Sequence, residues 1–253
     1  EIHVPAWDID DKLEESNTVW WQAIQDVFRT LEIADQKFSV HVKPNIPAAM
    51  GLGGSAAIAV AIVRAVSRHF KLDLTEEETN HFAFQCEKAA HGTPSGIDNT
   101  IATYGQPLVY RSGEQQHLDI LEFTRPLNLV IGISDHPSLT VDMVAGVRER
   151  WRRHRELYDS LFDNIGQVAN SGIQAIHEGD YGHLGHMMTI NHGLLSAIQV
   201  SSPELDQMVQ IARDHGSLGA KLTGAGGGGS IVALADENSE AIAAGLNRHG
   251  FKA

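Results

Sequence analysis

Apolar Val19, Ala23, Ile24, Val27, Phe28 and Leu31 recur every three or four positions, so one face of residues 19–31 is apolar and an amphipathic helix is predicted there. Phe38-Ser39-Val40-His41-Val42 alternates apolar and polar side chains with the two-residue period of a half-buried strand. A turn-rich stretch from Pro44 to Pro47 leads into Met50-Gly51-Leu52-Gly53-Gly54-Ser55, and the apolar run behind it predicts a long helix from about Ala56 to Phe70. Strand, glycine loop and helix thus form one unit. In Thr75-Glu76-Glu77-Glu78 a capping threonine stands three positions ahead of a glutamate, which predicts a helix running to about Ala90, followed by a second loop from His91 to Asn99.

The pattern changes in the second half. Leu127-Asn128-Leu129-Val130-Ile131-Gly132-Ile133 reads as a buried strand, and the chain is strongly helical from Val141 to about Glu178. A domain boundary near Phe123 divides residues 1–123 from residues 124–253. Further on come a helix around Pro203 to His215, the stretch Gly219 to Thr223, a glycine run from Gly224 to Gly229, a strand from Ser230 to Leu234 and a last helix from Ser239 to Arg248. This mixture predicts an α+β protein with helices packed on largely antiparallel sheets. There is no internal repeat and no low-complexity segment.

Composition narrows the function classes. With 42% hydrophobic and 20% charged residues over 253 positions, the chain has ordinary globular composition. No apolar run approaches the roughly 20 residues of a membrane span, and Glu1-Ile2-His3-Val4-Pro5 lacks the basic and apolar regions of a signal peptide. A single Cys86 has no internal disulfide partner, so a cytoplasmic protein with no membrane partner is expected. A formal net charge of -13 argues against nucleic acid as a partner. One nucleotide is another matter, because backbone amides, a helix N-terminus and a metal ion hold phosphates inside an acidic protein. The 14 histidines are scattered without an HExxH or Cys/His cluster, so no structural zinc is expected.

Gly51 to Ser55 carries the candidate chemistry. Glycines let backbone amides approach a bulky anion, and the following helix turns its unpaired N–H groups and positive dipole end toward it. The loop is neither GxxxxGK[ST] nor a dinucleotide fingerprint, and a glycine turn before a helix also occurs without any ligand. Ser55 offers either a helix cap or a hydroxyl ligand for a metal. Glu87, near the end of a helix among Phe82, Ala83, Phe84 and Cys86, would by itself be expected to face solvent. Asp98 stands where an acid is either a cap for a short helix or a general base. Ser95 has no base in a recognisable triad and is not a nucleophile candidate.

These residues carry a resemblance. Pro47-Ala48-Ala49-Met50-Gly51-Leu52-Gly53-Gly54-Ser55-Ala56 is similar to the phosphate loop Pro-x-x-x-Gly-Leu-Gly-Ser-Ser-Ala of the galactokinase, homoserine, mevalonate and phosphomevalonate (GHMP) kinases, except that Gly54 replaces the first serine. Glu87, followed by His91-Gly92-Thr93-Pro94-Ser95-Gly96-Ile97-Asp98-Asn99, resembles the magnesium-binding glutamate and catalytic loop of the mevalonate kinase branch. Gly219-Ala220-Lys221-Leu222-Thr223-Gly224-Ala225-Gly226-Gly227-Gly228-Gly229 resembles that family's third motif. Together the three motifs, in the family's order, span roughly residues 40 to 235.

The resemblance implies a two-domain α+β fold, with an N-terminal half like domain 2 of ribosomal protein S5 and a ferredoxin-like C-terminal half. It implies ATP and Mg²⁺ as cofactors, with phosphates on Gly51, Leu52, Gly53, Gly54, Ser55 and Ala56, the metal on Ser55 and Glu87, and Asp98 as catalytic base. Thr140 would lie near the active site, although a helix cap explains it equally, and Gly224, Ala225 and Gly226 would support the phosphates. The implied reaction is phosphorylation of the primary alcohol of mevalonate, feeding isoprenoid synthesis. Another small-molecule kinase of the superfamily (sugar 1-kinase or phosphomevalonate kinase) and a catalytically silent nucleotide-binding protein remain as alternatives. The family's first motif, with its catalytic lysine and a mevalonate-touching histidine, is expected on a preceding segment on the order of 50 to 80 residues. Lys12 lies in no comparable context and inherits no role. The resemblance also admits a homodimer.

Overall fold

The long apolar run behind the glycine loop forms the central helix of the first half. In the computed structural model, which describes residues 2–4, 9–11, 19–91, 94–111, 117–137 and 140–253, the contacts group the chain into two units. The first comprises Glu1–Ala48 and Gly53–Ile120, the second Ala49–Leu52 and Leu121–Ala253.

In the first unit β1 (Ile2–Val4) pairs antiparallel with β2 (Ile9–Asp11) and parallel with β3 (Val40–His41). Helices α1 (Val19–Thr30), α2 (Gly54–Phe70), α3 (Glu76–His91) and α4 (Ile97–Tyr104) follow, and β4 (Leu108–Arg111) and β5 (His117–Ile120) close the unit as an antiparallel pair. Helix α2 is rich in Ala, Ile and Val, and buries Ala56, Ile58, Ala59, Val60, Ile62, Val63 and Val66. All of these but Ala56 pack with Ile2, Val4, Ile24, Val27 and Phe28 into one core, where each large aliphatic side chain contributes about 1.5–3 kcal/mol. The box at the head of α3 forms as predicted: Thr75 Oγ1 accepts from the Glu78 N–H at 3.1 Å, and the Glu78 carboxylate accepts from the Thr75 N–H at 2.8 Å. The Thr75 N–H, together with the Thr75 hydroxyl, which donates to the same carboxylate oxygen at 2.9 Å, holds the Glu78 carboxyl below its ordinary pKa.

In the second unit β6 (Leu129–Ile133) is followed by α5 (Thr140–Arg153), α6 (Arg155–Glu178), α7 (Tyr181–Ala197) and α8 (Pro203–Asp214). Then come β7 (Gly219–Thr223), β8 (Ser230–Leu234) and α9 (Ser239–Arg248). The sheet has the order β6-β8-β7 and is antiparallel throughout, with Thr223 opposite Ser230, so the glycine run 224–229 is the loop of a hairpin. Leu205, Met208, Leu222, Ile231, Ile242 and Leu246 form its core. Ser202 caps α8 by accepting from the Leu205 N–H, with Pro203 at the first helical position.

Several expectations need correction. The strand at 38–42 contracts to Val40–His41, and the helix predicted from Ala56 starts at Gly54. The helical stretch from Val141 to Glu178 is two helices, broken where His154 leaves helical conformation with φ -133 and ψ 54. No glycine or proline marks that break. Helix α7 was not predicted, because its apolar residues are spread around the helix rather than along one stripe. Its Gly185 lets it press on the strand below: a Cβ there would come within 2.4 Å of the Leu218 carbonyl oxygen. Among the described residues no helix is long and apolar enough to cross a membrane.

Candidate active site

Residues from three helices of the first unit meet at the N-terminus of α2. Its cap is Gly53, in left-handed conformation with φ 67 and ψ 24, and no side chain caps the helix. An L residue with a Cβ is strained in that conformation, which accounts for glycine at this position. The turn leaves the first N–H groups of α2 without a side-chain partner at the positive end of the helix dipole. Ser55 is therefore not the cap. It is the second residue of the helix, and its hydroxyl donates to Glu87 Oε1 at 2.8 Å.

Glu87 does not face solvent. Its relative exposure is 3%, because α3 packs on α2 through Ala83 and Cys86 and the glutamate shares that inner face. Burial, reinforced by the Glu87 charge beside it, pushes the Cys86 thiol up to about 12. A buried carboxylate and a hydroxyl are two hard oxygen donors, a set that suits a hard divalent cation completed by phosphate and water oxygens. Among the described residues no group of three or more His, Cys, Asp or Glu side chains could hold a metal without such outside oxygens.

Asp98 lies in the first turn of α4, whose cap is Gly96 in left-handed conformation, so Asp98 is not the cap either. Its carboxylate packs beside Gly53: a Cβ built on that glycine would lie 3.4 Å from Asp98 Cγ. The position is fixed from below. Asn99, the next residue and buried, donates to Asn80 Oδ1 of α3 at 2.6 Å, while Thr100 Oγ1 donates to the Gly96 carbonyl at 2.6 Å. Arg64 of α2 donates to the Thr103 carbonyl at the far end of α4 and pairs with Glu76 at the start of α3. Helices α2, α3 and α4 are thereby latched at both ends, and the carboxylate stands exposed beside the glycine turn.

Of the remaining predicted residues, Gly54 and Ala56 lie in the first turn of α2 in the first unit, and the others belong to the second unit. Gly51 packs on Gly224, with a Cβ at Gly51 meeting the Gly224 Cα at 3.4 Å. The Met50 carbonyl accepts from the Ser230 hydroxyl at 2.8 Å. Gly226 has φ 84, and a Cβ there would meet the Val200 carbonyl oxygen at 1.9 Å, so only glycine fits. Gly227 donates to that same carbonyl at 2.8 Å. Ala225 lines an apolar groove of about 410 Å³ with Met143, Val144 and Val147 of α5. Thr140 is the first residue of α5, but its side chain lies outside the described residues, as do Gly92, Thr93 and Lys12.

Sequence reasoning missed Ser134 and Ser230, both buried polar residues that brace the glycine run. Ser134 Oγ accepts from the Gly229 N–H at 3.1 Å and donates to the His136 carbonyl at 3.0 Å. The available signal was a serine at a core-facing end of an otherwise apolar strand.

The chain matches the family model "GHMP kinases N terminal domain" over residues 17–106 and "GHMP kinases C terminal" over residues 173–252. It is 38% identical over 227 residues to a mevalonate kinase of Pyrococcus abyssi, covering 87% of this chain and 67% of that protein. To a mevalonate kinase of Thermococcus sibiricus it is 37% identical over 217 residues, covering 84% and 64%. The chain thus spans about two thirds of the length of these curated relatives. Among solved structures it is similar to the crystal structure of L. major mevalonate kinase in complex with R-mevalonate. There the TM-score is 0.85 and the identity 34%, over 98% of this chain and 77% of that one.

Proposed function

The chain belongs to the GHMP kinase family, and we propose that it transfers the γ-phosphoryl group of ATP to the primary hydroxyl of mevalonate, giving 5-phosphomevalonate and ADP. The observation that carries this reading is the convergence of Ser55, Glu87 and Asp98 from three helices on one uncapped helix N-terminus. The ATP phosphates lie on Gly51, Leu52, Gly53, Gly54, Ser55 and Ala56, where backbone N–H groups and the α2 dipole meet their charge. Gly54 supplies an amide but no hydroxyl. Ser55 and Glu87 hold Mg²⁺, which when bound neutralises phosphate charge as it builds on the transferring group. Asp98, exposed beside Gly53, orients the mevalonate hydroxyl and takes its proton as the oxygen attacks the γ-phosphorus and ADP departs. Thr140 lies near the active site, and Gly224, Ala225 and Gly226 support the phosphates. Catalysis is then chiefly alignment and charge stabilisation.

On this reading the chain comprises an N-terminal kinase domain, residues 1–123, and a C-terminal one, residues 124–253, whereas the contact units divide between Ile120 and Leu121 with Ala49–Leu52 in the second. Identities of 37–38% to proteins named mevalonate kinase support mevalonate over a sugar or phosphomevalonate. A soluble substrate and one buried cysteine support a cytoplasmic location. Assembly as a homodimer is checked by light scattering. The reading itself is tested by ADP release from Mg-ATP with mevalonate, phosphomevalonate, galactose and homoserine in parallel. Turnover with mevalonate alone is expected. Turnover only with another alcohol would replace the substrate, and nucleotide binding without any turnover would leave a silent binder.

A further inference from the structure

A partly buried histidine stands behind the glycine run 224–229. β7 is an edge strand of its sheet, so alternate backbone N–H groups point away from β8 and need another partner. At Leu222, two residues before the run, that partner is the ring of His192 on α7: the Leu222 N–H donates to Nδ1 at 3.4 Å. With Nδ1 accepting, the proton of the neutral ring sits on Nε2, which donates to Asp206 Oδ1 of α8 at 3.1 Å. The same Asp206 oxygen accepts from Ser201 Oγ at 2.5 Å and from Ser196 Oγ at 3.4 Å; Ser196 lies in the last turn of α7 and Ser201 in the connection between α7 and α8. That connection presents the Val200 carbonyl to the Gly227 N–H at 2.8 Å. One carboxylate therefore ties together two anchors, His192 at the entry to the run and Val200 in its middle.

We infer that His192, held by Asp206, is a positioning residue that fixes the glycine run in the shape that supports the ATP phosphates. This rests on the kinase reading above. It requires the neutral ring, because an imidazolium has no acceptor for the Leu222 N–H. The side chain is 12% exposed, and burial is the main influence pulling its pKa below the ordinary 6.5. The charged groups acting on it are Asp206, which raises the value, and Lys221 of β7 and Arg213 of α8, which lower it. The folded-state value is depressed, so the bracket is intact above about 6.5 and is lost as pH falls through the lower folded value.

The test uses the intact protein with His192→Ala, His192→Asn and His192→Gln. Asn places an acceptor where Nδ1 was, whereas Gln keeps only the link to Asp206. His192→Ala and His192→Gln are expected to raise the KM for ATP about fivefold to tenfold, the worth of one hydrogen bond, with the KM for mevalonate within about twofold. His192→Asn is expected to restore the ATP value and to abolish the rise in KM that the parent protein shows on acidification. Amide hydrogen exchange at Gly224 to Gly229 gives a readout independent of turnover: it quickens in the Ala and Gln variants and not in Asn. If mevalonate is not turned over by the parent protein, the kinase reading fails while the exchange experiment still decides the bracket. Unchanged exchange in His192→Ala, or an Asn variant as impaired as Ala, would overturn the inference. Should His192→Ala fail to fold, Asp206→Asn takes its place. Removing that charge lowers the His192 pKa further, so the acid rise in the KM for ATP must move to lower pH, and an unmoved limb overturns it equally.

Discussion

Ser55→Ala separates a structural hydroxyl from a metal ligand. In the parent protein the hydroxyl donates to the buried Glu87 carboxylate at 2.8 Å, and a hydrogen bond to a charged group contributes about 1.5–3 kcal/mol. Alanine in an early turn of α2 recovers up to about 0.5 kcal/mol of helix propensity. The net loss is about 1–2.5 kcal/mol, read as a lower denaturant midpoint with unchanged slope. That loss follows from the hydrogen bond alone. If Ser55 also holds Mg²⁺, the Mg²⁺ concentration for half-maximal turnover rises at least about tenfold. Glu87→Gln raises it as well, and the double variant falls short of the sum because both changes strike one shared ligand set. The assay is ADP release titrated with Mg²⁺ at saturating ATP and mevalonate. A Ser55→Ala protein with the expected stability loss and an unaltered Mg²⁺ requirement would refute the ligand assignment and leave Ser55 as a brace for Glu87.

Gly226→Ala forces a Cβ to 1.9 Å from the Val200 oxygen at φ 84, and is expected to cost about 2–5 kcal/mol in chemical denaturation; a midpoint like the parent's would contradict the packing. Asn80→Leu removes the acceptor of buried Asn99 and should cost about 1–3 kcal/mol, with kcat falling more than nucleotide affinity as Asp98 loses its footing. Equal losses in both would place the effect elsewhere. Cys86 has a thiol near pKa 12, so about one part in 10⁴ is thiolate at pH 8. Alkylation in the native state is therefore expected to be negligible and to appear only on unfolding, and rapid labelling of the folded protein would show that the α2–α3 interface opens.

Where one stripe of apolar residues met a recognisable terminus, the sequence was a good guide. The Thr75–Glu78 box gave the start of α3 to the residue, and the strand expected at Ser230 to Leu234 is β8 with the same bounds. α7 eluded the same reasoning, since its apolar residues point several ways and its buried Gly185 serves a contact with a strand over thirty positions away. The glycine turn, Glu87 and Asp98 were found by their company in sequence, but their physical states were not. Local composition placed Glu87 in solvent, whereas the packing of α3 on α2 buries it against Ser55. Caps were assigned to Ser55 and Asp98 as alternatives because those residue types cap helices, yet the turns are made by Gly53 and Gly96. His192, Asp206 and Ser201 were invisible for another reason: their partner is a backbone N–H at Leu222, and nothing in a side-chain pattern announces an edge strand in need of an acceptor.

The most direct test of the central claim is steady-state turnover of Asp98→Asn with Mg-ATP and mevalonate, measured beside equilibrium binding of ATP. The side chain is exposed and α4 keeps its latches through Asn99, Thr100 and Thr103, so the fold should persist. Loss of a positioned base predicts a fall in kcat of about 10²–10⁴ with ATP affinity within a few-fold of the parent. Undiminished turnover in that variant would contradict the assignment of Asp98, and with it the mechanism built on the α2 N-terminus.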